Sequence, residues 1–141
     1  MLKEFAVWLV ARVNALGASP ALVIGGNVQV GFREQDAPVR CHTLIDTGGP
    51  ADFDLPYRTD MMLQVMTRGP KGNFQQTRDD AYAIYSAIHG TSGWTIGPLV
   101  SGGATYRIHS ITALAKPQYL GGDQKGNHEF STNYLVTGSP N

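Results

Sequence analysis

The stretch from Asp60 to Gly90 constrains this chain most, because it holds an apolar strand, a tight corner and one well-marked amphipathic helix. Met61-Met62-Leu63-Gln64-Val65-Met66 is apolar at nearly every position, which predicts a strand covered on both faces. Gly69-Pro70-Lys71-Gly72 then turns the chain. Asn73 is placed to cap the following helix, with Gln76 three positions on to close a capping box. Ala81, Ile84, Tyr85 and Ile88 recur at helical spacing and join Phe74 on one face, while Gln75, Gln76, Asp79 and Ser86 fall largely on the other. Asp79 and Asp80 sit towards the helix start, His89 at its end, and Gly90 supplies the stop. Nothing in this unit points to catalysis.

Leu2, Phe5, Ala6, Leu9, Val13 and Leu16 follow the same three-four spacing and predict a second helix, ended by Gly17. Lys3 before an apolar run, with Ala18-Ser19-Pro20-Ala21 behind it, has the outline of a leader. Arg12 breaks that run, so a retained helix is expected. No stretch approaches the ~20 apolar residues of a membrane span, and no membrane contact is expected. Residues 27–32 alternate as a short strand, and residues 39–45 are expected to return beside it as a hairpin. Thr91 to Gly103 is expected as a connection anchored by Trp94 and Ile96. Tyr106, Ile108, Thr112 and Leu114 alternate in one later strand, and Phe130, Thr132, Tyr134 and Val136 in a last one. The expected fold is a small single α+β domain over residues 1–137. About four to six strands form a mixed or antiparallel sheet packed by two main helices. Residues 138–141 are expected to be a loose tail.

A length of 141 residues suits one domain with a real core. Basic and acidic residues balance at 11 each, so the chain lacks the positive field that a nucleic-acid binder uses. Such a chain is suited to line a path for DNA without gripping it. Near-zero charge also opposes self-association little, which suits a protein that assembles. Cys41 is alone, so an internal disulfide is excluded, and it is expected as a small residue half-buried in or beside a strand.

Leu44-Ile45-Asp46-Thr47-Gly48 contains the Asp-Thr-Gly core of aspartic proteases, whose chemistry needs two carboxylates sharing a proton. Gly49-Pro50 follows where those enzymes carry Ala or Ser, and no supporting apolar-Gly-Arg segment comes later. An Asp opening a glycine turn is the competing reading. His42, His89, His109 and His128 show no ligand spacing, no glycine pair precedes Lys-Ser/Thr, and no nucleophile elbow occurs. No catalytic residue, metal or cofactor is expected.

Residues 46–58 form a long loop with Phe53, Leu55 and Tyr57 as candidate contact residues. Arg58, Arg68, Lys71 and Arg78 fall near the central strand and helix start, as a solvated rim or a ring-surface contact.

The run Lys116-Pro117-Gln118-Tyr119-Leu120-Gly121-Gly122-Asp123, followed by a polar turn and Phe130-Ser131-Thr132-Asn133-Tyr134-Leu135-Val136, resembles the end of phage tail terminator and minor capsid (head–tail joining) proteins. The strand ending Thr67-Arg68-Gly69 and the helix carrying Ala81, Ile84 and Tyr85 are similar too, so the likeness spans nearly the whole chain. Residues 46–58 and 97–103 have no counterpart in that pattern.

The resemblance implies a structural virion protein: a ring, typically of six subunits, on the head-proximal end of the tail. It implies that the ring stops tube polymerisation, docks the head connector and lets DNA pass through its lumen. Its implied partners are further copies of itself, the tail tube protein and the connector or head-completion protein. Another head–tail connector ring is the neighbouring reading. The outward contacts expected are Phe53, Leu55, Tyr57, Arg58, Arg68, Lys71, Tyr119 and Leu120.

Overall fold

The computed structural model describes residues 1–48 and 58–141. The elements run α1 (Leu2–Ala15), β1 (Val28–Val30), β2 (Cys41–Asp46), β3 (Thr59–Gly69), α2 (Phe74–Ile88), β4 (Trp94–Ile96), β5 (Tyr106–Ala113), β6 (Gln118–Gly122) and β7 (His128–Pro140). Among the described residues, seven strands form one mixed sheet in the order β1-β2-β3-β7-β5-β4, with β6 pairing β7 beyond the end of β5. This is a small α+β domain, as its sequence predicts. The strand count exceeds the expected range because β4 and β6 lie in segments without a clear alternating pattern.

Strand β3 is the axis of the sheet. It pairs antiparallel with β2 on one side and, from Thr59↔Gly138 to Gly69↔His128, with β7 on the other. Met61, Leu63 and Val65 are buried, whereas Met62, Gln64 and Met66 are half-buried. The expectation of a strand covered on both faces is therefore corrected. Both helices pack on the first face, where Phe5, Leu9, Ile84 and Ile88 close the core over Leu44, Leu63 and Tyr134. The second face carries polar side chains that pair with each other, such as Gln64 Nε2 with Ser131 Oγ at 3.1 Å and Ser110 with Thr137 at 2.7 Å. Methionine made the strand look uniformly apolar, yet Met tolerates a half-buried site.

The corner after β3 is tighter than its turn residues require. A Cβ on Gly69 would collide with the Thr77 side chain, so glycine lets the end of β3 lie directly on the first turn of α2. Asn73 is the N-cap, but its side chain makes no capping bond. The expected capping box is replaced by the Asn73 carbonyl, which accepts from the Thr77 amide at 3.1 Å and from Thr77 Oγ1 at 2.8 Å. Gly90, at φ 75°, ends the helix region as expected.

Three further expectations change. First, β1 and β2 are parallel, not a hairpin, with Val28↔His42 and Val30↔Leu44 in register. Residues 31–40 cross the second face instead. Arg68 pins them there by donating to the carbonyls of Pro38 and Val39 at 3.0 Å, and Arg33 pairs with Glu129 at 3.0 Å. Cys41 lies buried where this crossover re-enters the sheet. Second, a register shift between Ile108 and Ser110 moves the inward side of β5, so Ile108 and Ile111 are buried while Leu114 is 60% exposed. Third, residues 138–140 are not a loose tail. They finish β7, with Gly138 paired to Thr59 and Pro140 to Tyr106.

Candidate functional site

One end of the sheet gathers an aromatic cluster from three elements. Phe74 opens α2, Tyr119 lies in β6, and His128 and Phe130 begin β7. Phe74 sits edge-on to Tyr119 at 5.1 Å between ring centroids, and Tyr119 lies 5.2 Å from Phe130. The Tyr119 hydroxyl and His128 Nδ1 are 2.9 Å apart, which satisfies the polar tip of a ring whose body faces outward. The cluster is not sealed: Phe74 is 41% exposed, Tyr119 45% and Leu120 54%. Asp123 holds the adjoining turn, accepting from the amides of Lys125 at 2.8 Å and Asn127 at 2.9 Å. Desolvation pushes the Asp123 pKa up, but the hydrogen bonds from Asn127 and Lys125 together outweigh it and hold the carboxyl below its usual value.

The local sequence explains the placement. Strands β5 and β6 run end to end along β7, from Tyr106↔Pro140 to Gly122↔His128, with residues 114–117 leaving the line between them. Among the described residues strand β6 has β7 on one side only, so its outer edge offers free backbone groups next to the exposed rings. An open strand edge beside an apolar, aromatic patch is a surface for docking another protein.

Of the expected contact residues, Tyr119 and Leu120 are in this patch. Lys71 is close by, its aliphatic stem near Gly126. Arg68 stands at the same end, but its guanidinium holds the crossover carbonyls. Arg58 is at the opposite end of β3, about 33 Å away at ~3.3 Å per residue, where it pairs with Asp60 at 3.1 Å. Arg78 lies over the Tyr82 ring at 4.3 Å. The basic residues therefore do not share one rim. Phe53, Leu55 and Tyr57 lie outside the described residues. Phe74, His128 and Phe130 were missed as members of the patch. Its spacing predicts Phe74 on the core face of α2, and nothing local links it to residues 119–130.

Asp46, the acid of the Asp-Thr-Gly segment, accepts a hydrogen bond from the Gly48 amide at 2.9 Å, while Thr47 Oγ1 donates to the Met62 carbonyl at 3.1 Å. The segment thus shapes the end of β2. Among the described residues no three His, Cys, Asp or Glu side chains are gathered to hold a metal.

A second feature lies at the other edge of the sheet. The end of α1, one flank of α2 and the start of β2 enclose an open cleft of about 710 Å³. Arg40 spans its mouth in a two-pronged pair with Asp80, Nε to Oδ2 at 2.8 Å and Nη2 to Oδ1 at 2.9 Å. His42 is buried in its wall with Nδ1 2.9 Å from Thr67 Oγ1. Burial lowers the His42 pKa from 6.5 to about 4, outweighing the opposing pull of Asp80, so the ring is neutral at pH 7.

No protein-family model, curated protein or solved structure matches this chain.

Proposed function

We propose that this protein acts by contact rather than by chemistry, as a phage tail terminator. It caps the head-proximal end of the tail tube as a ring, stops tube growth and offers a docking face to the head connector. The observation that carries the proposal is the exposed aromatic end of the sheet, Phe74, Tyr119 and Leu120 beside the open edge of β6. Two of these residues fall in the C-terminal segment that resembles terminator and minor capsid proteins.

The rest of the chain supports this reading. Zero formal net charge suits a ring whose lumen transmits DNA without holding it. Among the described residues the sheet ends in three-residue strands, β1 on one side and β4 on the other. Such short edges limit uncontrolled pairing while leaving room for specific contacts. The partners in this reading are further copies of the chain, the tube protein and the connector, and the site of action is the virion.

The test is electron microscopy of lysates from a phage lacking this gene. Overlong, unjoined tails beside filled heads are the expected outcome. Tails of normal length that fail to join heads would move the role to the connector side. Intact infectious particles would overturn the proposal.

A further inference from the structure

We infer that the cleft between α1, α2 and β2 receives the Leu114–Lys116 excursion of a second copy of this chain. The inference rests on the ring reading above and names the contact that would build the ring. Residues 114–117 interrupt the line of β5 and β6, and the Leu114 amide donates to the Asn133 carbonyl at 2.8 Å to pin the base of the excursion. Leu114 is 60% exposed, and Ala115 and Lys116 are exposed beside it. The excursion therefore presents an apolar side chain and an ammonium together, on a backbone fixed at one end.

The cleft has the complementary chemistry. Its apolar wall is formed by Val13, Leu16, Ala83 and Ala87. Its charged residues are Arg40, Asp79 and Asp80, one cation against two anions. Arg40 and Asp80 satisfy each other. Asp79 uses only Oδ1, which accepts from Gln75 Nε2 at 2.8 Å, so Oδ2 has no partner among the described residues. A leucine fits against the apolar wall while a lysine from the same segment reaches Asp79.

The topology supplies the geometry. The sheet order sets β2, whose His42 lines the cleft, beside β1 at one edge, and β5, which leads into the excursion, towards the other. The four strand spacings from β1 to β5 amount to about 19 Å. A contact from one edge of a copy to the opposite edge of the next is head-to-tail, and such contacts close into rings when the rotation permits.

Two single-cysteine additions test the contact: Ala83→Cys in the cleft wall and Ala115→Cys at the excursion. Cys41 stays in place because it is buried. The expected result is a disulfide-linked dimer when the two variants are mixed and mildly oxidised at high concentration, well above the yield of either alone. Mass spectrometry identifies the joined peptides. Asp79→Lys should abolish the link, and Lys116→Asp on the other partner should restore it. Equal linkage in each variant alone, or no link both in solution and in assembled particles, overturns the contact. Overlong tails on gene deletion together with an absent link would retain the terminator role and reject this interface. A specific link in a protein whose deletion leaves particles intact would do the reverse.

Discussion

His42 shows how one buried side chain ties stability to pH. The ring is buried against Thr67, and its pKa falls from 6.5 to about 4 because burial penalises the charged form. In the unfolded chain the same imidazole takes up a proton near pH 6.5. Stability from this residue is thus complete above about pH 6.5 and declines as pH drops towards 4, by about 3 kcal/mol in all. Thermal unfolding measured between pH 7 and pH 4 should show that decline, and His42→Gln should flatten it. Arg68 acts at the same scale through its guanidinium, which holds the crossover beside Cys41. Losing a charged hydrogen-bond donor costs about 1.5–3 kcal/mol. Arg68→Ala should therefore raise the labelling rate of Cys41 by thiol reagents on the order of tenfold, with the fold retained on circular dichroism. Burial also raises the Cys41 pKa, so labelling of the native protein should be slow.

Among the elements, the β3–α2 corner is the least tolerant of change. Gly69 and Thr77 come so close that any side chain at Gly69 must push α2 off the end of the sheet. Gly69→Ala should cost at least about 1–3 kcal/mol, the usual range for forcing extra volume into a packed site. Chemical denaturation with an unchanged m-value is the check. Helix α2 itself was legible: Ala81, Ile84 and Ile88 are buried as their spacing predicts, and Gly90 follows at positive φ. Strand β7 was legible too, since Phe130, Thr132, Tyr134 and Val136 are all buried. Strand β5 was not, because the register shift beyond Ile108 reverses the face of every residue after it.

For the whole molecule, the exposed aromatic end of the sheet, with Phe74, Tyr119 and Leu120, is the surface on which the proposed docking rests. A substitution at the aromatic end should consequently affect assembly and spare folding. Leu120→Asp, at a residue 54% exposed, should shift the unfolding temperature little, since exposed sites usually move stability by less than about 0.5 kcal/mol. The same variant should lower particle yield, measured by complementation of the gene deletion. Normal yield would remove Leu120 from the contact surface.

By itself the sequence determined the two helices, the central and final strands, the turn between β3 and α2, and the α+β class. Each of these depends on spacing within a few residues, and the 3.6- and 2-residue periods write that spacing directly into the chain. Only the tertiary structure decided the direction of β1 against β2, the inward face of β5, and the meeting of Phe74 with Tyr119 and Phe130. Those outcomes turn on partners far apart in sequence, such as Arg68 with the carbonyls of residues 38 and 39 or Phe74 with residues of β6 and β7. A side chain's local pattern states that it is apolar or charged; which distant backbone or ring it meets is settled by how the sheet closes.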